Sequence, residues 1–323
     1  MKIESKLVLA SKSAVTGVNL YTFVLTYPRV ILAEVNTHRV LSRNTASSRA
    51  IPAKKQRERV LTDPFVPVTI GQNQRGMQAG KELEGWRHWV AVNTWKAARY
   101  PNVFASWVLD KVGAHKQVVN RIVEPWTFTQ QVVTCTDLKN VFKLRNHKDA
   151  EPHFQIIAKQ MQAQVEVVER TFRLVDFNAE RLIDRRLNFN GTKGVGVIQM
   201  LRQGEWHMPF VDDDEIVDYI ADKQTVNDDG SVTANVWIGP VDWGQLKQVS
   251  CARCARVSYF LPENGQRSDS TRDLELCCRL SSSGHWSPFE HVATPAENDS
   301  YIGNFKGWLQ FRKEFTDERG GDA

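Results

Sequence analysis

Apolar side chains crowd into one short β-branched run near the start of the chain and then recur at helical spacing. Residues 20–27, LYTFVLTY, are dense in β-branched and aromatic residues and predict a strand. Pro28 suits the first turn of a helix. RVILAEVNTHRVLS after it runs helically, with Ile31 and Val35 four apart and Glu34, Thr37, His38 and Leu41 on neighbouring rows. The Ser/Thr/Pro run TASSRAIP ends that helix in a loop. Residues 75–118 predict a helical stretch carrying Trp86, Trp89, Trp95 and Trp107, whose irregular spacing suits packing anchors better than a base-stacking platform. Residues 120–174 keep a helical period. Within EPHFQIIAKQMQAQVEVVERTFRL, Ile157, Met161, Val165, Val168 and Phe172 make a core face.

The second half is less regular between residues 175 and 245. NDDGS at 227–231 is a turn and TANVWIG after it a strand. GTKGVGVIQ has glycines but no GKS or GKT, so it predicts a loop or hairpin, not a phosphate loop. LKQVSCARCARVSYFL, residues 246–261, predicts a buried element. TRDLELCCRLSSSGHW predicts a helix running into a loop, and SPFEHVATP leads into a short strand. GNFKGWLQFRKEF closes the pattern and DERGGDA is expected to fray. No internal repeat is visible. Irregular alternation of strands and helices favours an α+β fold, a mixed or antiparallel sheet with long helices, over a doubly wound sheet.

With 323 residues, 41% hydrophobic and 24% charged, the composition is that of an ordinary globular chain. No apolar run approaches the roughly 18 residues of a spanning helix, so no membrane partner is expected. The opening MKIESKLVLASKSAV lacks a secretory core and predicts a cytoplasmic protein. The net charge of +5 is mild, but it is locally concentrated. Between Glu34 and Glu58 there is no acid, while Arg39, Arg43, Arg49, Lys54, Lys55 and Arg57 all fall there. At its centre, residues 38–49 read HRVLSRNTASSR. A compact loop of hydroxyls and arginines suits a small anion, with loop amides forming a nest, and equally describes a solvated basic face. No nucleic-acid-binding motif accompanies it, so a stable nucleic-acid partner is not expected.

The five cysteines do not predict a metal site. CARC at 251–254 is followed by the adjacent pair Cys277 and Cys278, which cannot easily aim both sulfurs at one ion. They suit small buried hydrophobes. His38 has no histidine four residues away, so it is no metal ligand either.

The histidine segment resembles the signature of flavin-dependent thymidylate synthases, Arg-His-Arg, seven residues, then Ser. Here Thr37, His38 and Arg39 are followed after seven residues by Ser47, and the match extends to Ser42, Asn44 and Arg49. It departs at Thr37, where the family has arginine, and at Thr45, where it has glutamate. Further segments agree: Arg121 with Pro125, Asn140 with Arg145 in NVFKLR, ARVSY at 255–259 and GHWSPFEH at 284–291. In the family the last two precede the histidine motif. Here they follow it, so the chain resembles a circularly permuted, phage-type member. GEWHMPF at 204–210 and the tail look similar to phage-encoded members too. The implied organisation is one interleaved catalytic domain over 1–323: a motif half at 18–175, an insertion at 176–245 and the permuted segment with its tail at 246–313.

The resemblance implies C5 methylation of dUMP to dTMP, with FAD as cofactor and methylenetetrahydrofolate and NADPH as co-substrates. A variant product (hydroxymethyl) or substrate (dCMP) is the alternative. A basic nucleic-acid-binding protein and a catalytically inert relative are the other readings. Carried over residue by residue, the catalytic positions are Arg145 and His285. The substrate-binding positions are Glu34, Thr37, Ser47, Ser48, Arg49, Arg121 and Arg145. The flavin positions are Thr37, His38, Arg39, Thr45, Thr134, Thr136, Asn140 and Ser287. Arg145 could also be a helix C-terminal cap, and His285 a structural histidine. The family resemblance further implies a homotetramer with shared active sites, in the host cytoplasm if phage-encoded.

Overall fold

A computed structural model of the chain describes residues 2–13, 16–174, 196–202, 205–212, 215–226, 232–241, 243–256 and 270–315. Its centre is an eight-stranded antiparallel sheet in the order β3-β4-β2-β1-β5-β6-β7-β8. Strands β1 (Glu4–Ser13) and β2 (Asn19–Pro28) form a hairpin in which Glu4 faces Thr26 and Lys12 faces Asn19. The strand expected at LYTFVLTY is β2. Side chains two apart in a strand share a face, so Tyr21, Phe23, Leu25 and Tyr27 are buried together. They meet α6 (Pro152–Leu174) through Phe154, Ile157, Met161, Val165 and Val168, the expected core row. The Phe172 side chain lies outside the described residues. Each such side chain, fully buried, contributes roughly 1.5–3 kcal/mol, which makes this layer the anchor of the fold.

Two expected helices give way to the sheet. Inside residues 120–174 lies β4 (Phe128–Cys135), paired with β2 from Pro28↔Phe128 to Tyr21↔Cys135. Gln131 and Thr134 are fully buried within it, and buried polar residues erase the alternation that marks a half-buried strand. The helix expected over RVILAEVNTHRVLS is only a 3-10 turn, Arg29–Ile31, and one turn of α-helix, α1 (Leu32–Asn36). SRNT then forms β3 (Ser42–Thr45) on the open edge of β4, where its backbone groups find partners the helix would have denied β4.

The tryptophan-bearing stretch is α3 (Gly85–Lys111), preceded by α2 (Ala53–Thr62) and followed by α4 (Lys116–Val119). Trp95 is the packing anchor expected. Its indole donates to the Phe65 carbonyl at 2.9 Å, and its ring lies 6.0 Å from that of Trp126. Trp86, Trp89 and Trp107 are exposed instead, because spacing shows that a stripe exists and not that the chain covers it. Arg57, counted within the basic segment, is buried and donates to Asp110 at 2.7 Å, which staples α2 to α3.

The opposite face of β2 is covered from the far end of the sequence. In α7 (Trp243–Arg256) and α8 (Ser270–Ser282), Cys251, Ala252, Ala255, Cys277 and Leu280 pack with Phe289 and Phe311. Leu20 of β2 packs with Ala293, Phe305 and Trp308. The helix-to-loop passage after α8, the turn Ser287–His291 and the short strand β9 (Ala293–Pro295) fall where expected. The chain closes through β10 (Tyr301–Ile302), β11 (Phe305–Lys306) and β12 (Trp308–Gln310), β12 pairing with β9. The buried element expected at 246–261 is α7 as far as Arg256; residues 257–261 lie outside the described residues.

Beyond β1, β5 (Gly196–Arg202) and β6 (Glu205–Asp212) form a hairpin, and β8 (Val232–Val241) pairs with β7 (Glu215–Val226). The strand at TANVWIG was legible; GVIQ, expected within a loop or hairpin at GTKGVGVIQ, lies in the strand β5, the first of that pair, and residues 191–195 lie outside the described residues. The turn at 227–231 and the tail at 317–323 lie outside the described residues. Among the described residues no helix is long and apolar enough to cross a membrane.

Gly307 fixes the C-terminal hairpin against the β1–β2 turn. Its φ is +68°, and a Cβ there would lie 2.8 Å from Thr16 Oγ1 and 2.9 Å from Val18 Cγ2. Gly303 has a similar φ of +66° but nothing nearer than 3.5 Å. Both Gly→Ala changes incur about 1–2 kcal/mol for the left-handed backbone. Gly307→Ala adds about 1–3 kcal/mol of overpacking, so it should melt at the lower temperature in a thermal scan. Equal melting temperatures would contradict the docking described.

Candidate functional site

The residues of the histidine motif are divided among three local structures, and each is fixed by a different contact. Thr37 caps α1 at its C-terminal end and its hydroxyl donates back to the Glu34 carbonyl at 2.6 Å. That bond competes with helix propagation and turns His38 inward. The His38 ring is buried, edge-on to Phe154 at 5.5 Å between centroids. Arg39, its neighbour, faces solvent.

Arg145 ends α5 (Lys139–Arg145) and reaches this turn across the sheet edge. Its Nε donates to His38 Nε2 at 2.7 Å, its Nη2 donates to Thr37 Oγ1 at 3.2 Å, and its guanidinium lies over Phe154 at 4.8 Å. Accepting from Arg145 requires His38 Nε2 to be unprotonated. Burial first, then the charges of Arg145 and Arg43, hold the His38 ring below its ordinary pKa. Arg145 therefore does more than cap a helix: it is half-buried, oriented by three partners, and keeps further N–H groups to offer. Glu34, one turn back, has a buried Oε2 with no hydrogen-bond partner among the described residues.

The second structure is the hydroxyl–arginine loop. Ser47 accepts from the Arg49 amide at 3.3 Å and opens the 3-10 turn Ser48–Ala50. Ser48 is buried, whereas Arg49 is exposed. Asn120, fully buried, donates to the carbonyls of Ser48 at 2.8 Å and Ile51 at 2.9 Å. It immediately precedes Arg121, also exposed at the start of the turn Arg121–Trp126, so one amide links the two candidate phosphate arginines. Arg29 supports the loop from behind, donating to the Ala46 carbonyl at 3.2 Å. Neither Asn120 nor Arg29 was singled out in the sequence; adjacency to Arg121 was the only trace of Asn120.

The third is the set of buried polar side chains on and around β3 and β4, Gln131 on the α6 face and Thr134 on the other. Gln131 donates to Thr45 Oγ1 at 2.6 Å and Asn36 Oδ1 at 3.3 Å, and accepts from Tyr27 at 2.9 Å. Thr134 is fully buried, with its hydroxyl 2.8 Å from His291 Nδ1 and 3.0 Å from Thr22. Thr136 accepts from the Lys306 amide at 2.8 Å. Asn44 donates to the Cys254 carbonyl at 2.8 Å, and Ser42 accepts from Asn304 at 2.9 Å and Gln310 at 2.8 Å. Thr45, Thr134 and Thr136 thus spend their hydroxyls inside the chain. Asn140 and Ser287 are exposed. His285 is exposed as well and touches only the Ser283 carbonyl, at 3.2 Å; no hydrogen bond, ion pair or ring contact joins it to Arg145 among the described residues.

The cysteine thiols differ: Cys277 is held below its ordinary pKa by its hydrogen bond with Cys251, and Cys278 is exposed. Burial pushes Cys135 and Cys251 up, and Cys254 up to about 12. Among the described residues no group of three metal-ligating side chains comes together. What the arrangement can do is bind an anion at Ser47–Arg49 and Arg121 and present an oriented cation, Arg145, to a polar ring nearby.

Two histidines make this arrangement acid-sensitive. His38 is held below its ordinary pKa, and burial pulls His291 down to about 3. In the unfolded chain both take protons near pH 6.5. The unfolded state then binds more protons below that pH, so their contribution is complete above about pH 6.5 and is lost as pH falls toward 3. Denaturant midpoints should drop across that window. His291→Gln, which keeps a partner for Thr134, should flatten the drop, and an unchanged slope would contradict a buried neutral ring.

No family model matches the sequence, and no curated protein matches it. Among solved structures, a UMP/dUMP methylase, PolB, from Streptomyces cacaoi bound with 5-Br UMP overlaps at a TM-score of 0.41 with 15% identity, over 50% of this chain and 88% of its own. The same methylase bound with 5-Br dUMP gives a TM-score of 0.37 with 18% identity, over 45% of this chain and 66% of its own. The superpositions are too loose to carry an assignment, and the functional reading rests on the site itself.

Proposed function

We propose that the chain is a pyrimidine-nucleotide C5-methyltransferase that converts dUMP to dTMP. The observation that supports this is that distant motif segments meet around β3 and β4, at one end of the sheet, from both of its faces. Arg145 meets His38 at 2.7 Å, Asn44 meets Cys254 at 2.8 Å and Thr134 meets His291 at 2.8 Å. A permuted order of the family's segments accounts for contacts that reach from residue 44 to residue 254 and from 134 to 291.

In this reading the phosphate lies against the Ser47–Ser48 loop between Arg49 and Arg121. Hydroxyls, loop amides and guanidinium forks suit a dianion. Arg145 faces the pyrimidine at N3 and O4. A fixed cation there stabilises the N3-deprotonated, enolate-like ring and makes C5 electron-rich without a protein nucleophile. His38 and Thr37 hold the guanidinium in place, so the chain's own residues bind, orient and polarise.

FAD, by the same resemblance, would supply hydride, with methylenetetrahydrofolate as the one-carbon donor and NADPH as the electron source. The residues expected to hold FAD fit it only in part. Arg39, Asn140 and Ser287 are open to a ligand, while Thr37 is exposed but its hydroxyl already bonds Glu34 and Arg145. Thr45, Thr134, Thr136 and His38 are engaged within the chain. A homotetramer with shared sites is part of this proposal, as is a cytoplasmic location with the nucleotide pool.

A second reading has its own observation. The unpartnered Glu34 Oε2 is an acceptor, which suits the exocyclic amino group of cytosine better than uracil O4. Methylation or hydroxymethylation of dCMP is that reading.

Incubating the protein with dUMP or dCMP, methylenetetrahydrofolate, NADPH and FAD separates these by product mass: a CH2 gain for methylation, a CH2O gain for hydroxymethylation. Arg145→Ala should lower kcat by about 10²–10³ while visible flavin absorbance of the protein persists. Undiminished turnover in that variant would remove Arg145 from the chemistry. No product from either nucleotide by a flavin-loaded protein would overturn the function.

A further inference from the structure

The apolar side of α3 has no cover among the described residues. Trp86 is 73% exposed, Trp89 67%, Tyr100 54%, Phe104 63% and Trp107 45%. With Val90, Ala97 and Val108 they fall within one arc of the helix, interrupted by the polar Asn93 between Val90 and Ala97. The opposite side of the helix carries Trp95 and Ser106, which pack inward on Phe65 and Arg57.

The area is that of an interface. An aromatic side chain presents roughly 200 Å², so the five exposed rings offer on the order of 600 Å² before Val90, Ala97 and Val108 are added. Stable protein interfaces bury about 800 Å² on each partner, and monomers rarely leave contiguous apolar patches above a few hundred Å². At 27 residues, α3 is long enough to hold that area in one line, about 40 Å.

The stripe is also complementary to itself. Ala97 stands at its middle and is exposed. Trp86 and Val108 lie equally far from it on either side, as do Val90 and Phe104. An antiparallel copy crossing at Ala97 would set Trp86 against Val108 and Phe104 against Val90, with Tyr100 opposite Thr94, Trp107 opposite Arg87 and the smallest residue of the stripe where the backbones come closest. That is the requirement of a two-fold interface, in which one patch meets itself.

We propose that α3 pairs antiparallel with α3 of a second copy, about a two-fold axis at Ala97. The pairing stands on exposure and spacing alone and goes beyond the nucleotide reading. It bears on the site because α3 continues through α4 to Asn120, which holds the Ser48 loop.

Light scattering on the full chain gives the test. Wild type should show a mass of at least two chains. Ala97→Arg and Ala97→Asp should each halve that mass with an unchanged far-ultraviolet spectrum, because Ala97 is exposed on its own chain. Mixed in equal amounts, the two should restore it, since the opposed charges meet only if residue 97 faces residue 97. Phe104→Lys serves as a second disrupting variant should either Ala97 change prevent folding. A monomeric wild type, which would leave the stripe to an unrelated partner, overturns the proposal. So do folded variants that keep the wild-type mass, or a mixture that stays at half.

Discussion

The fold depends on satisfying polar side chains buried at one edge of the sheet. β3 and β4 carry Ser42, Asn44, Gln131 and Thr134, all buried. A buried hydroxyl or amide left unpaired costs about 1–3 kcal/mol, so each demands a partner. Those partners come largely from the last quarter of the sequence: Cys254, His291, Asn304 and Gln310. Apolar packing around Phe289 and Trp308 supplies affinity for that segment, but the polar bonds set its register, since they have direction and packing has little.

The same constraint shapes the candidate site. With the C-terminal segment holding one face of β3 and β4, and α6 the other, the edge beyond β3 is left to short turns. Those turns and β3 carry an excess of cations, Arg39, Arg43, Arg49 and Arg121, against two carboxylates, Glu34 and Glu124, the second of which is paired with Arg29. Arg145 is the cation whose direction is fixed, because a neutral His38 accepts from it and Phe154 lies beneath it. An anion bound beside the loop and a polarisable ring beside Arg145 follow from that distribution of charge.

Much of this was legible in the sequence and some could not be. β2 announced itself because β-branched and aromatic residues crowd it, and the α6 core row because four apolar residues kept one helical face. β4 was hidden by Gln131 and Thr134, polar residues whose hydrogen-bond partners lie 86 to 157 residues away in sequence. The short α1 was misread as a longer helix because local spacing cannot report that β4 has an open edge. Of the motif positions, Thr134 and Thr136 bond within the chain, and no contact among the described residues joins His285 to Arg145. The links that assemble the site, Asn120 to Ser48 and Gln131 to Thr45, are single long-range hydrogen bonds with no local pattern. The exposure of Trp86, Trp89 and Trp107 was equally invisible, since amphipathicity shows an apolar face without saying what covers it.

The central claim is that the Ser47–Arg49 loop and Arg121 read the phosphate of a pyrimidine nucleotide. Calorimetric titration with dUMP and with deoxyuridine tests it most directly, because the two ligands differ only in the phosphate. The account predicts that dUMP binds more tightly and that the advantage collapses in the Arg49→Ala, Arg121→Ala double variant. Equal affinities for the two ligands, or an advantage that survives the double variant, would contradict it.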